Sequence, residues 1–375
     1  MAFALTGARI FDGENFRDGH AVVIDGTRIV SVVPRAELPA METRDLGGGL
    51  LAPGFIDVQV NGGGGALLND EPGVDTVRTI AMAHRKFGTV GLLPTVITDS
   101  PAVLQKAIDA VRAARNQGVP GVLGIHIEGP FLDVERKGAH AARFIREMTE
   151  ADVDHIAGLD CGSVMLTLAP NRVKPEFIRM LAERGVLVSL GHAEATYAEA
   201  MQALAAGARA FTHLFNAMSQ MNGREPGMAG AAMSDAASFA GLIADGYHVH
   251  DAAMQVAFAA KPPSRMMLIT DAMPTAAGGP SRFVLQGREV MLKNDRLQLP
   301  DGTLAGSNLT MDAAVRYCVR VLKLDLASVL RMASLTPATF LKLEHRLGRI
   351  APGHLASLVH LSDDLEVRAT WIDGQ

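Results

Sequence analysis

An eightfold alternation constrains this chain more than any other feature: short apolar runs rich in β-formers recur between segments of helix-forming composition. The runs span 54–60, 89–96, 122–128, 164–169, 186–191, 208–213, 239–244 and 266–271. Segments 74–87, 102–115, 175–184, 197–206 and 252–260 carry broad apolar faces at helical spacing. Strands alternating with helices pair in parallel, because each connection must cross back over the sheet. Eight such units predict a closed (β/α)8 TIM barrel. The main alternative is a doubly wound open sheet, but no G-x-G-x-x-G follows the first run and no Walker loop appears.

The two ends of the chain read differently. Residues 8–11, 21–24 and 28–33 are short strand-like runs cut by Asp12-Gly13 and Asp25-Gly26. Residues 348–350, 357–361 and 367–372 repeat that style around Pro352-Gly353. We expect the ends to pair into one small β-sandwich domain, giving residues 1–52 as its first part, 53–345 as the barrel and 346–375 as its second part. After the eighth run, 283–285, 289–293 and 296–299 read as a β excursion, and 311–322 and 327–332 as closing helices. The length of 375 residues suits a barrel of about 250 plus an accessory domain.

Composition narrows the partners. The net charge of −5 leaves no basic footprint for nucleic acid, although a local cationic pocket for a small anion is compatible with it. No apolar stretch reaches the roughly 18 residues that a membrane helix needs. The first residues, Met1 to Thr6, lack the pattern of an export signal, and Cys161 and Cys318 stand far apart with no C-x-x-C pair. A cytoplasmic setting and a small-molecule partner are therefore expected.

In a barrel of this kind the active site lies at the C-terminal strand ends. Those ends offer Gln59 and Asn61, then Glu128, His192, His213 and Asp271. Glu128, His192 and His213 make a set of one oxygen and two nitrogen donors, suited to zinc or another divalent metal with a position left open for water. Taken singly, each also reads as a capped carboxylate or a hydrogen-bonded core imidazole. Asp271 reads either as a general base and acid or as a cap of the following turn. His126 points to the same side of its run as Glu128 and reads as structural or as a support for the site. His140 could reach over the site to donate to an oxyanion, or sit exposed on its loop. Lys137, Asn216, Arg224 and His248 are loop groups able to hold an anion, and for Arg224 a surface salt bridge is the competing reading.

Seven segments, in order, resemble the N-acetylglucosamine-6-phosphate deacetylase family of the amidohydrolase superfamily. They are P-G-F-I-D-V-Q-V-N-G from Pro53, G-I-H-I-E-G-P-F from Gly124, G-H-A from Gly191, T-H-L-F-N-A-M from Thr212, G-R-E-P-G from Gly223, T-D-A from Thr270 and L-A-G-S from Leu304. The resemblance implies that Glu128, His192 and His213 bind the metal, that Asp271 is the acid/base and that His140 polarises the acetyl carbonyl. It implies sugar-phosphate contacts from Asn216, Ala217, Arg224 and His248, and a pocket lined by Leu304, Ala305, Gly306 and Ser307. It also implies a homodimer in which Arg224 completes the neighbouring site. Many relatives carry His-x-His at the end of the first strand, where this chain has Gln59 and Asn61. Amides bind such cations more weakly than imidazole, so one tightly held ion is expected, Zn2+ first with Fe2+ or another divalent metal as alternatives, and at most a loose second beside Gln59 and Asn61. The rival readings are a deacetylase of the galactosamine epimer, a deaminase or cyclic-amide hydrolase on the same barrel, and a non-catalytic homologue. The last should have lost a ligand or the strand-eight carboxylate, and none is missing.

Overall fold

The computed structural model describes residues 2–375 and contains one sheet of eight parallel strands whose spatial order follows the chain. The strands are β1 (Phe55–Val60), β2 (Thr89–Ile97), β3 (Gly124–Glu128), β4 (Ser163–Leu168), β5 (Leu187–Leu190), β6 (Ala210–Phe211), β7 (Phe239–Leu242) and β8 (Met266–Leu268). Sequential parallel neighbours joined by crossovers curl the sheet until its edges meet. They meet here through a parallel bridge between Val60 and Ala272 and through the Asp271 N–H, which donates to the Gln59 carbonyl at 2.9 Å. The architecture is the expected (β/α)8 barrel. Its strands read as unbroken apolar runs because one face fills the barrel and the other packs against helices.

Helices α1 (Val74–Arg85), α2 (Pro101–Asn116), α3 (Glu150–Ala157), α4 (Pro175–Glu183), α5 (Tyr197–Ala205), α6 (Gly227–Ser234) and α7 (Asp251–Ala260) connect the strands. Periodicity does not disclose α3 or α6. A capping box between Thr149 and Asp152 starts α3, and that signal was present in the sequence. In α6 small residues are buried on nearly every side, so no polar face marks it. Helices α8 (Met311–Arg320), α9 (Leu326–Ala333) and α10 (Leu335–Phe340) close the barrel.

Five strands stop earlier than their apolar runs, β4 at Leu168 and β7 at Leu242 among them. β5, β6 and β8 end at Leu190, Phe211 and Leu268, because His192, His213 and Asp271 adopt left-handed backbone with φ of 49°, 32° and 52°. A side chain with a Cβ pays roughly 1–3 kcal/mol for such backbone, and a left-handed residue cannot extend a strand. The chain therefore turns out of the sheet at these three residues and leaves their side chains at the barrel mouth.

The terminal segments form a small β domain of two sheets. One holds Phe3–Thr6, His20–Asp25, Arg28–Pro34 and Glu42–Asp45; the other joins Arg9–Phe11, Phe16–Arg17 and Leu50–Pro53 to the C-terminal Leu358–Leu361 and Val367–Trp371. Phe3, Leu5, Ile10, Val22, Leu51 and Leu358 share its core. Residues 348–350 are not a strand: Gly348 has φ +81°, and Ile350 makes a single backbone bond to Asp12. The β excursion is a four-stranded antiparallel sheet, Arg282–Leu285, Arg288–Lys293, Arg296–Gln298 and Leu304–Ser307, with a core of its own that includes Leu285 and Val290 and reaches Ile97 at the end of β2. Among the described residues no helix is long and apolar enough to cross a membrane.

Candidate active site

A cavity of about 380 Å³ opens at the C-terminal strand ends, and Glu128, His140, His192, His213, Asn216 and Asp271 are among its lining residues. Glu128 Oε1 lies 3.1 Å from His192 Nε2 and 3.0 Å from His213 Nε2, and the two Nε2 atoms are 3.0 Å apart. Both imidazoles use their other nitrogen on a backbone carbonyl. His192 Nδ1 donates to Arg136 O at 2.9 Å and His213 Nδ1 to Asn216 O at 3.1 Å. A carbonyl only accepts, so each ring carries its proton on Nδ1 and turns the Nε2 lone pair inward. Three lone pairs thus converge on one point, and something positive must sit among them.

A proton is one solution. Burial disfavours a charged His213, yet the hydrogen bond and charge of Glu128, helped by Asp271, raise it. Burial likewise opposes the charge of Glu128, but the two histidines hold its carboxyl well below the usual range. A divalent cation is the other solution. Tetrahedral zinc with bonds near 2.0–2.1 Å needs donors about 3.3 Å apart, close to the spacing found, and a carboxylate oxygen with two imidazoles leaves a position open. Carbonyls that fix the tautomer are the usual support for such ligands. Glu128, His140 and His192 also place donor atoms within 4.8 Å of one another. His213 is the tighter third member by distance, and one nitrogen of His140 is already engaged.

Asp271 stands beside this triangle. Its Oδ1 accepts from Asn61 Nδ2 at 2.6 Å and from Gln59 Nε2 at 3.2 Å, and the same Gln59 amide donates to both oxygens of Glu128 at 3.2 Å. The amide nitrogens, not the oxygens, face the two carboxylates, and they offset part of the repulsion that a second cation would otherwise relieve. Burial first and the Glu128 charge second push the Asp271 carboxyl up to about 6. Gly306, at φ +68°, lets the excursion pass over this point, since a Cβ there would come within 2.9 Å of the Asp271 carbonyl and 2.6 Å of Met273.

The seam between β1 and β8 is held by a residue whose role the sequence did not disclose. Asp57 is fully buried and accepts from Thr270 Oγ1 at 2.5 Å, Gln59 N at 3.1 Å and Thr270 N at 3.3 Å. It ties the residue before Asp271 to the strand that carries Gln59. His126 lies below Glu128, with Nε2 2.7 Å from Thr167 Oγ1. Burial pushes it down to about 4, so it is a neutral member of the barrel interior and does not line the cavity. His140 Nδ1 is 2.9 Å from Thr98 Oγ1, leaving Nε2 for the cavity.

The remaining expected residues divide. Asn216, Ala217, His248, Leu304 and Gly306 line the cavity, and His248 Nδ1 donates to Asp245 at 2.6 Å. Ala305 and Ser307 do not line it. Side chains alternate along a strand, so these two face the other way, Ala305 into the excursion core and Ser307 Oγ onto the Thr270 carbonyl at 2.5 Å. Arg224 is exposed on its loop and lies outside the cavity of its own chain, as does Lys137. Arg136 is the main residue that sequence reasoning missed: its carbonyl orients His192 and its side chain lines the mouth. A backbone acceptor leaves no mark in sequence.

A parallel barrel whose strand ends gather imidazoles and carboxylates around one buried point is the architecture of a barrel hydrolase. The chain belongs to the amidohydrolase family, which it matches over residues 50–375, and residues 2–51 match the NagA composite domain. It is 41% identical to the N-acetylgalactosamine-6-phosphate deacetylase of Shewanella sp. (strain ANA-3), covering 98% of this chain and 94% of the relative. It is 33% identical to the N-acetylglucosamine-6-phosphate deacetylase of Haemophilus influenzae, covering 100% and 99%. The crystal structure of the N-acetylglucosamine-6-phosphate deacetylase from Pasteurella multocida superposes with a TM-score of 0.97 at 33% identity, covering 100% of this chain and 99% of that one.

Proposed function

We propose that this protein binds one divalent cation, zinc first by its donor set, through Glu128, His192 and His213, and hydrolyses the acetamido group of N-acetyl-D-glucosamine 6-phosphate to D-glucosamine 6-phosphate and acetate. The observation that carries the reading is the convergence of two Nε2 lone pairs on Glu128 beside an elevated carboxyl, that of Asp271. When bound, the cation lowers the pKa of water and draws electron density from a carbonyl oxygen. Asp271, as carboxylate, takes the proton of the attacking water. It then returns that proton to the sugar nitrogen as the C–N bond breaks. His140 donates from Nε2 to the carbonyl oxygen as charge develops there. Asn216, Ala217, His248, Leu304 and Gly306 hold the sugar phosphate. The setting is cytoplasmic, in keeping with two free, buried cysteines.

The exposed Arg224 reaches the phosphate of the neighbouring subunit in a homodimer. Arg224→Ala and Asp271→Asn proteins should each be nearly inactive alone and regain activity on mixing. A mixed dimer has one site with both an intact Asp271 and a donated Arg224. No recovery after subunit exchange would remove Arg224 from the partner's site.

The Shewanella relative favours a second reading, the galactosamine epimer, which differs in one hydroxyl. A site that hydrogen-bonds a hydroxyl can discriminate strongly against its misplacement. Acetate release from both 6-phosphates decides between them. We expect kcat/KM for the glucosamine substrate to exceed that for its epimer by about 10-fold or more, an order of magnitude being 1.4 kcal/mol of differential binding. The reverse order assigns the epimer, and no acetate from either sinks the deacetylase reading.

A further inference from the structure

The turn Gln286-Gly287 joins the strands Arg282–Leu285 and Arg288–Lys293 of the excursion, with both residues at positive φ, 51° and 83°. Such a two-residue turn makes a tight, rigid hairpin tip. The tip does not line the cavity, yet it is bonded to both residues that hold His140. Gln286 Nε2 donates to the Thr98 carbonyl at 2.7 Å and to Asp99 Oδ2 at 2.9 Å. The Arg288 guanidinium donates to the carbonyl of Ala139. Thr98 is the hydroxyl partner of His140 Nδ1, and Ala139 is the residue before His140.

His140 needs such support. It lies on the segment between β3 and α3, which has only two short 3-10 turns, Val134–Arg136 and Ala142–Phe144. Its own backbone N–H bonds only to Lys137, within the same loop. Thr98 Oγ1 is 2.9 Å from Nδ1 and 3.2 Å from the Glu128 carbonyl, and a hydroxyl has one proton to give. The Glu128 carbonyl, which can only accept, competes for that proton; turned instead to Nδ1, at the shorter distance, it leaves the ring proton on Nε2, the form that can donate into the cavity. Leu285, fully buried beside Ile97, anchors the hairpin next to Thr98. The hairpin tip therefore reaches the site through polar bonds to the frame of one histidine.

We propose that the hairpin tip is a positioning device for His140: Gln286 and Arg288 fix the Thr98 segment and the Ala139 carbonyl, and through them the direction in which His140 donates. The inference rests on the reading of His140 as the donor to the carbonyl oxygen. Loss of one oxyanion donor lowers turnover by about 10²–10³-fold, and displacement by roughly 1 Å is similarly severe. Gln286→Leu with Arg288→Met should thus lower kcat by about 10-fold or more, with KM within about threefold of wild type. Arg288→Lys, which keeps a charged donor, should recover part of the Arg288→Met loss, which a collapse of the sheet would not allow.

The decisive measurement repeats the double variant in a His140→Gln background. Positioning through His140 requires that the hairpin substitutions lower kcat in the wild-type background and add nothing once His140 is gone. An unchanged kcat in the wild-type background, or the same fold-loss in both backgrounds, overturns the proposal. Should His140→Gln alone leave kcat unchanged, the role of His140 fails first and this proposal with it. That outcome is distinct from the others because it appears without any hairpin substitution.

Discussion

Asp271→Asn should lower kcat by about 10²–10⁴-fold, the range that a positioned acid/base contributes, with the cation content of the protein unchanged. The substitution preserves shape and leaves an oxygen to accept from Asn61, so folding and the Glu128, His192 and His213 triangle persist. What it removes is the proton acceptor. Acetate release by the purified variant checks this, and turnover within threefold of wild type would take Asp271 out of the chemical step. The acid limb of the wild-type profile should also vanish in the variant. With the protein groups alone Asp271 titrates near 6, and a bound cation stabilises the carboxylate, so the limb of the loaded enzyme lies below that value.

The same shift makes a prediction about stability with the opposite sign. A carboxyl raised from 3.8 to about 6 binds its proton more tightly folded than unfolded. Its favourable contribution is present below about pH 4 and is lost as pH rises through 6. At pH 7 the ionised carboxylate costs folding on the order of 3 kcal/mol, each tenfold change in proton affinity being about 1.4 kcal/mol. The chelated Asp271→Asn protein should therefore melt above chelated wild type at pH 7, and the gap should close at pH 4. A residue retained at that cost to stability is consistent with one kept for chemistry.

Stripping the cation should abolish turnover, and one equivalent of zinc should restore it. Without a cation the converging donors compete for a proton, which the hydrogen bond and charge of Glu128 favour on His213. Neither the carbonyl nor the attacking water is then activated. Elemental analysis after dialysis should give one equivalent per chain, because the amide nitrogens of Gln59 and Asn61 already face Glu128 and Asp271. Two tightly retained equivalents would sink the single-cation reading. Glu128→Gln should lose the cation on dialysis and melt lower in zinc than wild type, since stabilisation by a ligand grows with its concentration over Kd. Full zinc retention by that variant would move the site away from Glu128.

The parts of this protein legible in sequence share a physical basis. Each parallel strand is buried on both faces, so its apolar run is continuous and can be counted, and a polar residue closing such a run stands out. Glu128, His192, His213 and Asp271 were found that way, and the structure brings them to one cavity. Where strands stop was less legible. The runs 208–213 and 266–271 contain the ligand-side residues, but left-handed backbone at His213 and Asp271 ends β6 and β8 earlier. Helix α6 stayed hidden because a helix buried all round has no amphipathic period. The L-A-G-S segment named four candidates, of which strand alternation presents only Leu304 and Gly306.

Barrel strands and the groups at their ends were thus determined by the sequence alone, because local hydrophobic pattern and residue chemistry specify them. Only the tertiary structure decided which groups act together. The Arg136 and Asn216 carbonyls that set the tautomers of His192 and His213, the Asp57 seam under Asp271, and the Gln286 and Arg288 bonds that frame His140 all join residues by backbone or across long separations in the chain. A backbone acceptor has no letter of its own. A contact across the barrel has no period, so folding is what reveals it.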